Sequence, residues 1–169
     1  MSRWRPPRPK SSPYITAEGY QRLEQELKQL WDRRKDVTAA LAAAAAEGDR
    51  SENAEYIYRK KELRSIDWRI NFLQKRLPKL NIVSQAPDNQ QQVFFSAWVT
   101  LEKEDGSEVC YRIVGADELD NGKNYISLDS PLARALLKKT IDDEVVIKTP
   151  LTQSSYYIVA IDYKSPNTG

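Results

Sequence analysis

Two apolar stripes, each recurring at alternating steps of three and four and separated by one short polar break, restrict this 169-residue chain more than any other feature. The first runs Tyr20, Leu23, Leu27, Leu30, Arg34, Val37, Leu41 and Ala44, a heptad seam interrupted once, by Arg34. The second runs Arg59, Leu63, Ile66, Ile70, Leu73, Leu77 and Leu80. Two such stripes joined by a short break have one economical arrangement, an antiparallel coiled-coil hairpin in which each helix covers the other's apolar face. The first helix is expected to begin near Ala17, where Thr16 can cap it, and Pro78 to end the second. A helix over residues 17–46 is about 45 Å long at 1.5 Å per residue, so the break lies far from the open end of the hairpin. Between Ala39 and Ala46 the chain is seven alanines and one leucine, a strong helix former that keeps that end slim.

After Leu80 the pattern changes to short runs rich in Val, Ile, Phe and Tyr, punctuated by Gly, Asp and Asn. Val93 to Leu101, Val109 to Val114, Tyr125 to Leu128, Val145 to Lys148 and Tyr156 to Ile161 read as strands of a small antiparallel sheet. Asp105-Gly106 and Asn121-Gly122 are hairpin-turn signals. In the stretch from Ser130, serine can cap a helix, Pro131 suits its first position, and Leu132, Leu136 and Leu137 give it one apolar face. The fold class is therefore α+β. A basic, proline-rich tail over 1–13 precedes the coiled coil at 14–80, a linker at 81–92 and the sheet domain at 93–169. The tail shows no period and is expected to be disordered, with Arg3, Arg5, Arg8 and Lys10 either touching nucleic acid or merely solubilising.

The net charge of +2 hides an asymmetry: up to Lys79 there are 18 basic and 11 acidic side chains, beyond it 8 and 13. A basic first half favours an RNA, DNA or acidic-protein partner, although a solvated helix pair could carry the same excess. The chain has no histidine, which removes Ser-His-Asp catalysis and His-ligated zinc. Cys110 stands alone, so no intrachain disulfide can form, and a reducing, cytoplasmic setting fits. No apolar run approaches the roughly 20 residues that cross a bilayer, and a soluble, untargeted protein with no membrane partner is expected.

The break itself, Gly48 to Tyr56, reads GDRSENAEY and places Asp49 and Glu52 at the turn. An acid at a helix start is stabilised by free N–H groups, typically by about 1 kcal/mol, and capping accounts for one of the two. Magnesium takes oxygen ligands in an octahedron, and two carboxylates are too few for a dedicated site. They could still complete a site partly formed in another protein and orient a water for phosphodiester hydrolysis. Capping, protein docking and a donated metal site all remain open on the residues alone. The following stretch carries Tyr56, Tyr58, Arg59, Lys60, Lys61 and Arg64, side chains that can stack on bases or neutralise phosphate, or serve as ordinary surface pairs.

GDRSENAEY resembles the acidic tip of the bacterial Gre transcript-cleavage factors. YITAEGYQRLEQELKQLW at 14–31, YRKKELRSIDWRINFLQKRL at 58–77, VFFSAWV at 93–99, YRIVGADE at 111–118 and YISLDSPLARALLKK at 125–139 are similar to the GreB branch of that family. The resemblance spans roughly Tyr14 to Tyr163. It implies an N-terminal coiled coil and a C-terminal domain of FKBP-like fold, without prolyl isomerase activity. It also implies a factor, monomeric when free, that binds bacterial RNA polymerase beside its secondary channel. In the family the two tip acids, here Asp49 and Glu52, help hold a catalytic Mg2+ shared with the polymerase and position the attacking water, so that backtracked nascent RNA is cleaved. On that implication no metal is held stably by the free factor, which is an accessory to the polymerase's own endonuclease activity. Ser51 and Tyr56 take supporting roles at the tip; Arg59, Lys60, Lys61 and Arg64 become candidates for contact with the nascent RNA 3′ segment. Asp129, Ser130, Pro131 and Leu132 match the segment associated with polymerase docking. Members commonly carry Arg-Pro where this chain has Arg34-Lys35, a departure that alters the first helix. The alternative is a channel-binding regulator that occupies the same dock without stimulating cleavage.

Overall fold

The computed structural model describes residues 10–47, 53–120 and 122–165 and divides into two compact units, one formed by Glu18–Leu80 and the other by the segments on either side of it. Each is built from its own apolar surface.

The helical unit follows directly from the two stripes. Helix α1 runs Ala17–Ala46 over 30 residues and α2 runs Ala54–Arg76 over 23. Every seam position named from the sequence is buried or half-buried. Val37, Ile66 and Ile70 form the buried centre, with Leu27, Leu30 and Leu63 packed against it. Arg34, the one polar interruption of the first seam, directs its Nε to Asp67 of α2 at 2.7 Å. Arg33 reaches Glu62, and Arg69 reaches Glu26, each also at 2.7 Å. The narrow apolar seam is thus flanked by ion pairs that cross from one helix to the other. Pro78 acts as expected: α2 stops at Arg76 and a 3-10 turn covers Leu77–Lys79. Among the described residues no helix is long and apolar enough to cross a membrane.

The second unit contains a five-stranded sheet. Its strands are β3 (Trp98–Lys103), β4 (Glu108–Val114), β5 (Tyr125–Ser127), β6 (Glu144–Lys148) and β7 (Gln153–Asp162), in the order β5-β4-β3-β7-β6. Val99, Leu101, Ile113 and Ile158 point into one core, which Val93 and Leu136 complete. Helix α3 (Pro131–Leu136) lays Ala133 and Leu136 on that core and is capped by Ser130, whose hydroxyl accepts the Ala133 N–H at 3.2 Å. The Asp105-Gly106 turn joins β3 to β4 with Gly106 at φ +83°, a conformation that glycine adopts without strain.

Two expectations change. The sheet is mixed rather than antiparallel throughout, because β5 lies parallel to β4. The Asn121-Gly122 signal therefore does not close a hairpin between them; a local turn sequence fixes a reversal of the chain but not which strand comes next. Asn121 itself lies outside the described residues. The strand expected from Val93 begins only at Trp98: Ser96 takes φ +73°, breaking the extended run, while Val93 is held by exchange of backbone hydrogen bonds with Lys138 and Lys139.

A small parallel pair precedes and follows the helices in sequence. Strand β1 (Tyr14–Thr16) pairs with β2 (Asn81–Val83), although the sequence division places the first in the coiled coil and the second in the linker. Its anchor is Glu118, buried at 4% exposure in the 3-10 turn Ala116–Glu118. One carboxylate oxygen accepts the Thr16 N–H at 3.0 Å and the Gly115 N–H at 2.7 Å, and the other accepts the Thr16 hydroxyl. Gly115 has an ordinary φ of −69°, so space rather than backbone freedom demands glycine there: an added Cβ would stand 2.0 Å from the Tyr14 carbonyl oxygen. Gly115→Ala is expected to cost about 1–3 kcal/mol through overpacking and to pull β1 from its seat. Urea denaturation followed by near-UV circular dichroism would show a lowered midpoint for this unit; an unchanged midpoint would show that β1 yields freely.

Candidate functional site

The sequence places the chain's most distinctive residues between the two long helices. Asp49, Ser51 and Glu52 lie outside the described residues, so the structure gives the ends of that connection rather than the acids themselves. Both ends meet at one side chain. Asn53 is the N-cap of α2, where its Oδ1 accepts the Tyr56 N–H at 3.2 Å, and its backbone carbonyl accepts the Ile57 N–H at 3.1 Å. Its Nδ2 donates at 2.8 Å to the carbonyl of Ala44, in the last turn of α1. That carbonyl is one of the acceptors at a helix end that lack an i+4 N–H within the helix; it also accepts the Glu47 N–H at 3.3 Å, so the Asn53 amide is its second and shorter donor.

Tyr56 is half-buried, and the Lys60 ammonium lies 5.9 Å from its ring centroid. The four basic candidates separate into two groups. Arg59 is half-buried on the seam, donating to Glu55 at 2.8 Å and Glu62 at 3.0 Å, with its guanidinium also 5.5 Å from the Tyr58 ring. The bond to Glu55, then that to Glu62, hold it more firmly protonated than usual. Lys60, Lys61 and Arg64 are exposed, and among the described residues none of them has a carboxylate partner. All three acids of α2, Glu55, Glu62 and Asp67, are already engaged by arginines. Helical spacing puts Lys61, Arg64, Trp68 and Lys75 along the side of α2 opposite the seam. Trp68, which the sequence reading did not single out, is 79% exposed there.

The docking candidates Asp129–Leu132 form the entry to α3. Asp129 accepts the Ser12 N–H at 2.9 Å on one oxygen and the Ser12 hydroxyl on the other. Ser130 caps, Leu132 packs against the core, and Pro131 is exposed at the first helical position. Among the described residues no group of three or more Cys, Asp or Glu is arranged to hold a metal ion. The Asn before an apolar-periodic run signals a cap, but nothing in its spacing announces the bond to Ala44.

Glu62 sits between Arg33 and Arg59. The Arg33 hydrogen bond, followed by that from Arg59, holds its carboxyl below the ordinary 4.5 despite some desolvation in the other direction. A depressed folded-state value means that stability from this group is present above about 4.5 and is lost as pH falls through the lower, folded value. The helical unit of wild type should therefore outlast that of Glu62→Gln at neutral pH, and the difference in melting temperature, followed by circular dichroism, should vanish in acid. A difference that is constant with pH would show that the Glu62 charge contributes nothing.

Residues 13–82 match the family described as transcription elongation factor, N-terminal, and residues 87–163 match transcription elongation factor, GreA/GreB, C-term. The chain is 56% identical over 164 residues to a transcription elongation factor GreB of Pseudomonas aeruginosa, covering 96% of this chain and 98% of that one. It is also 56% identical over 167 residues to a GreB of Xanthomonas axonopodis, covering 98% and 99%. Among solved structures, the GreA factor homolog Gfh1 of Thermus thermophilus is 25% identical, covering 88% of this chain and 97% of that one, with a TM-score of 0.40. With both of its parts matched and near full-length identity to GreB proteins, the chain belongs to the GreA/GreB family of transcription elongation factors.

Proposed function

We propose that this protein is a transcript-cleavage factor for bacterial RNA polymerase. It enters the secondary channel helices first and delivers Asp49 and Glu52 to the polymerase active site, where backtracked nascent RNA is cut and the arrested complex resumes synthesis. The observation that carries this reading is the position of the two acids: they fall in the short connection between the end of α1 at Ala46 and the start of α2 at Ala54. An α1 of 30 residues, about 45 Å long, supplies the reach for entry into a channel.

The chemistry suits a shared site better than an independent nuclease. Asp49 and Glu52 offer carboxylate oxygens, fewer than an octahedral Mg2+ requires, so a polymerase that holds the ion with its own ligands supplies the rest. Mg2+ bound there contributes charge neutralisation at the phosphodiester and a water of lowered pKa. This chain's part is to bring negative charge and hydrogen-bond acceptors to that water and to leave when the RNA has been released. Ser51 and Tyr56 support the tip.

The unpaired cations define the face that meets RNA. Lys60, Lys61 and Arg64 carry charge that no carboxylate of α2 offsets, whereas Arg59 is already neutralised and belongs to the fold. In the second unit, Pro131 offers the exposed contact for docking, with Asp129 and Ser130 holding the turn that presents it.

A stalled, backtracked bacterial elongation complex tests the reading. Wild type should stimulate endonucleolytic cleavage, and Asp49→Ala/Glu52→Ala should lower it about 100-fold or more while still binding polymerase, since loss of several kcal/mol of transition-state stabilisation has that effect. Unchanged cleavage in the double variant would overturn the role of the acids, and wild-type binding without cleavage would mark a channel-occupying regulator instead. Cleavage of free RNA with Mg2+ and no polymerase would mark an independent nuclease.

Replacing Lys61 and Arg64 together with serine should reduce the salt dependence of RNA contact by about 1.4 in the logarithmic slope, at about 0.7 per phosphate neutralised on a single strand. Arg59→Ser should change it far less. Crosslinking yield from the extruded 3′ segment, measured across a salt series, distinguishes the two; equal effects would show that the Glu55 and Glu62 pairs open on binding.

A further inference from the structure

The two hydrogen bonds of the Asn53 side chain point in opposite directions along the chain. One satisfies the Tyr56 N–H at the start of α2, and the other reaches the Ala44 carbonyl near the end of α1, nine positions earlier, at 2.8 Å, closer than the Glu47 N–H that the same oxygen accepts at 3.3 Å. The first bond is ordinary capping and would be served as well by aspartate, serine or threonine. Aspartate would also gain from the positive end of the α2 dipole, to which a neutral amide contributes nothing. Only a side chain that both accepts and donates can make the second bond at the same time, and a carboxylate in place of the amide would set negative charge against the Ala44 oxygen. Ala44 is itself buried at 3% exposure, and the bond from Asn53 ties the first turn of α2 to the last turn of α1 there.

From this geometry we infer that Asn53 is a positioning residue for the cleavage reaction: by clamping the last turn of α1 to the first turn of α2, it fixes both points between which Asp49 and Glu52 are presented. The inference rests on the proposed role of those acids. The Ala-rich end of α1 explains why a clamp has value there. Side chains from Ala39 to Ala46 offer little bulk for α2 to pack upon, and an isolated helix end frays when packing is weak. One hydrogen-bonded amide replaces the side-chain interlocking that Val37, Ile66 and Ile70 provide further along. The bond has no direct contact with substrate. Its effect on rate comes through the geometry of the acids, and misplacement of a catalytic group by about 1 Å lowers rates by about 100-fold.

The capping and clamping roles separate cleanly in Asn53→Asp, which keeps the cap and loses the donor. Three measurements on the full-length protein decide the matter. Amide hydrogen exchange at Tyr56 reports the cap, and dipolar broadening between nitroxides attached at positions 47 and 54 reports the clamp. Cleavage of a backtracked complex, resolved into the maximal rate and the factor concentration giving half of it, reports the consequence. Asn53→Asp should leave Tyr56 exchange as in wild type, widen the nitroxide distance distribution, and lower the maximal rate by about 10- to 100-fold at an unchanged half-saturating concentration. Asn53→Ala should do the same and lose the Tyr56 protection as well. The inference is overturned if Asn53→Asp cleaves like wild type, if its nitroxide distribution is unaltered, or if only the half-saturating concentration rises, since each leaves the clamp without a catalytic consequence. Should wild type stimulate no cleavage at all, the functional reading falls, while the nitroxide comparison still decides whether Asn53 clamps the two helices.

Discussion

The helical unit exists because two narrow apolar stripes have no other surface to bury against within it. Val37, Ile66 and Ile70 are its buried centre, and the rest of each helix is largely solvent-facing. A seam this slim contributes hydrophobic stabilisation only along one line, so register along that line matters more than total area. Charge pairs on its flanks, Arg33 with Glu62, Arg34 with Asp67 and Arg69 with Glu26, add little energy individually where exposed. Their value is in register: sliding one helix by a turn would set every one of them against the wrong partner.

That arrangement also sorts the basic residues of α2 into two kinds. Cations that turn toward α1 or along its margin meet carboxylates, and the field they project is short-ranged. Among the described residues Lys60, Lys61 and Arg64 meet none, so α2 presents a neutralised edge and a basic edge within one helix diameter. The division places attraction for a polyanion away from the seam, where binding need not compete with folding.

The heptad pattern made the helix pair legible from residue types alone, down to the start of α1 at Ala17 and the stop imposed by Pro78. Caps and turns that act locally were equally readable, as at Ser130 and Asp105-Gly106. What escaped was long-range. The parallel partner of β5, the pairing of β1 with β2 and the burial of Glu118 depend on which distant segments meet, and alternation along one strand holds no record of its neighbour. At the site, the acids were readable as acids between helices, whereas Asn53 was not singled out, and its cap on α2 and its bond to Ala44 emerge only from the fold. Arg59 fell both on the seam and among the candidates for RNA contact, because spacing gives direction around a helix but not the reach of a long side chain to Glu55 or Glu62.

The buried Glu118 sets an order on the emergence of this chain from the ribosome. The helices span Ala17–Ala46 and Ala54–Arg76 and the seam ends at Leu80, so the complete seam is available once the chain has been made to that point. Strand β1 comes first in synthesis but waits longest for its anchor: β2 follows at Asn81, and the carboxylate that receives Thr16 arrives 102 residues after it. For all of that interval the two bonds that Glu118 accepts from Thr16 cannot form. The N-terminal strand is in this sense among the first parts of the molecule to be made and among the last to be secured.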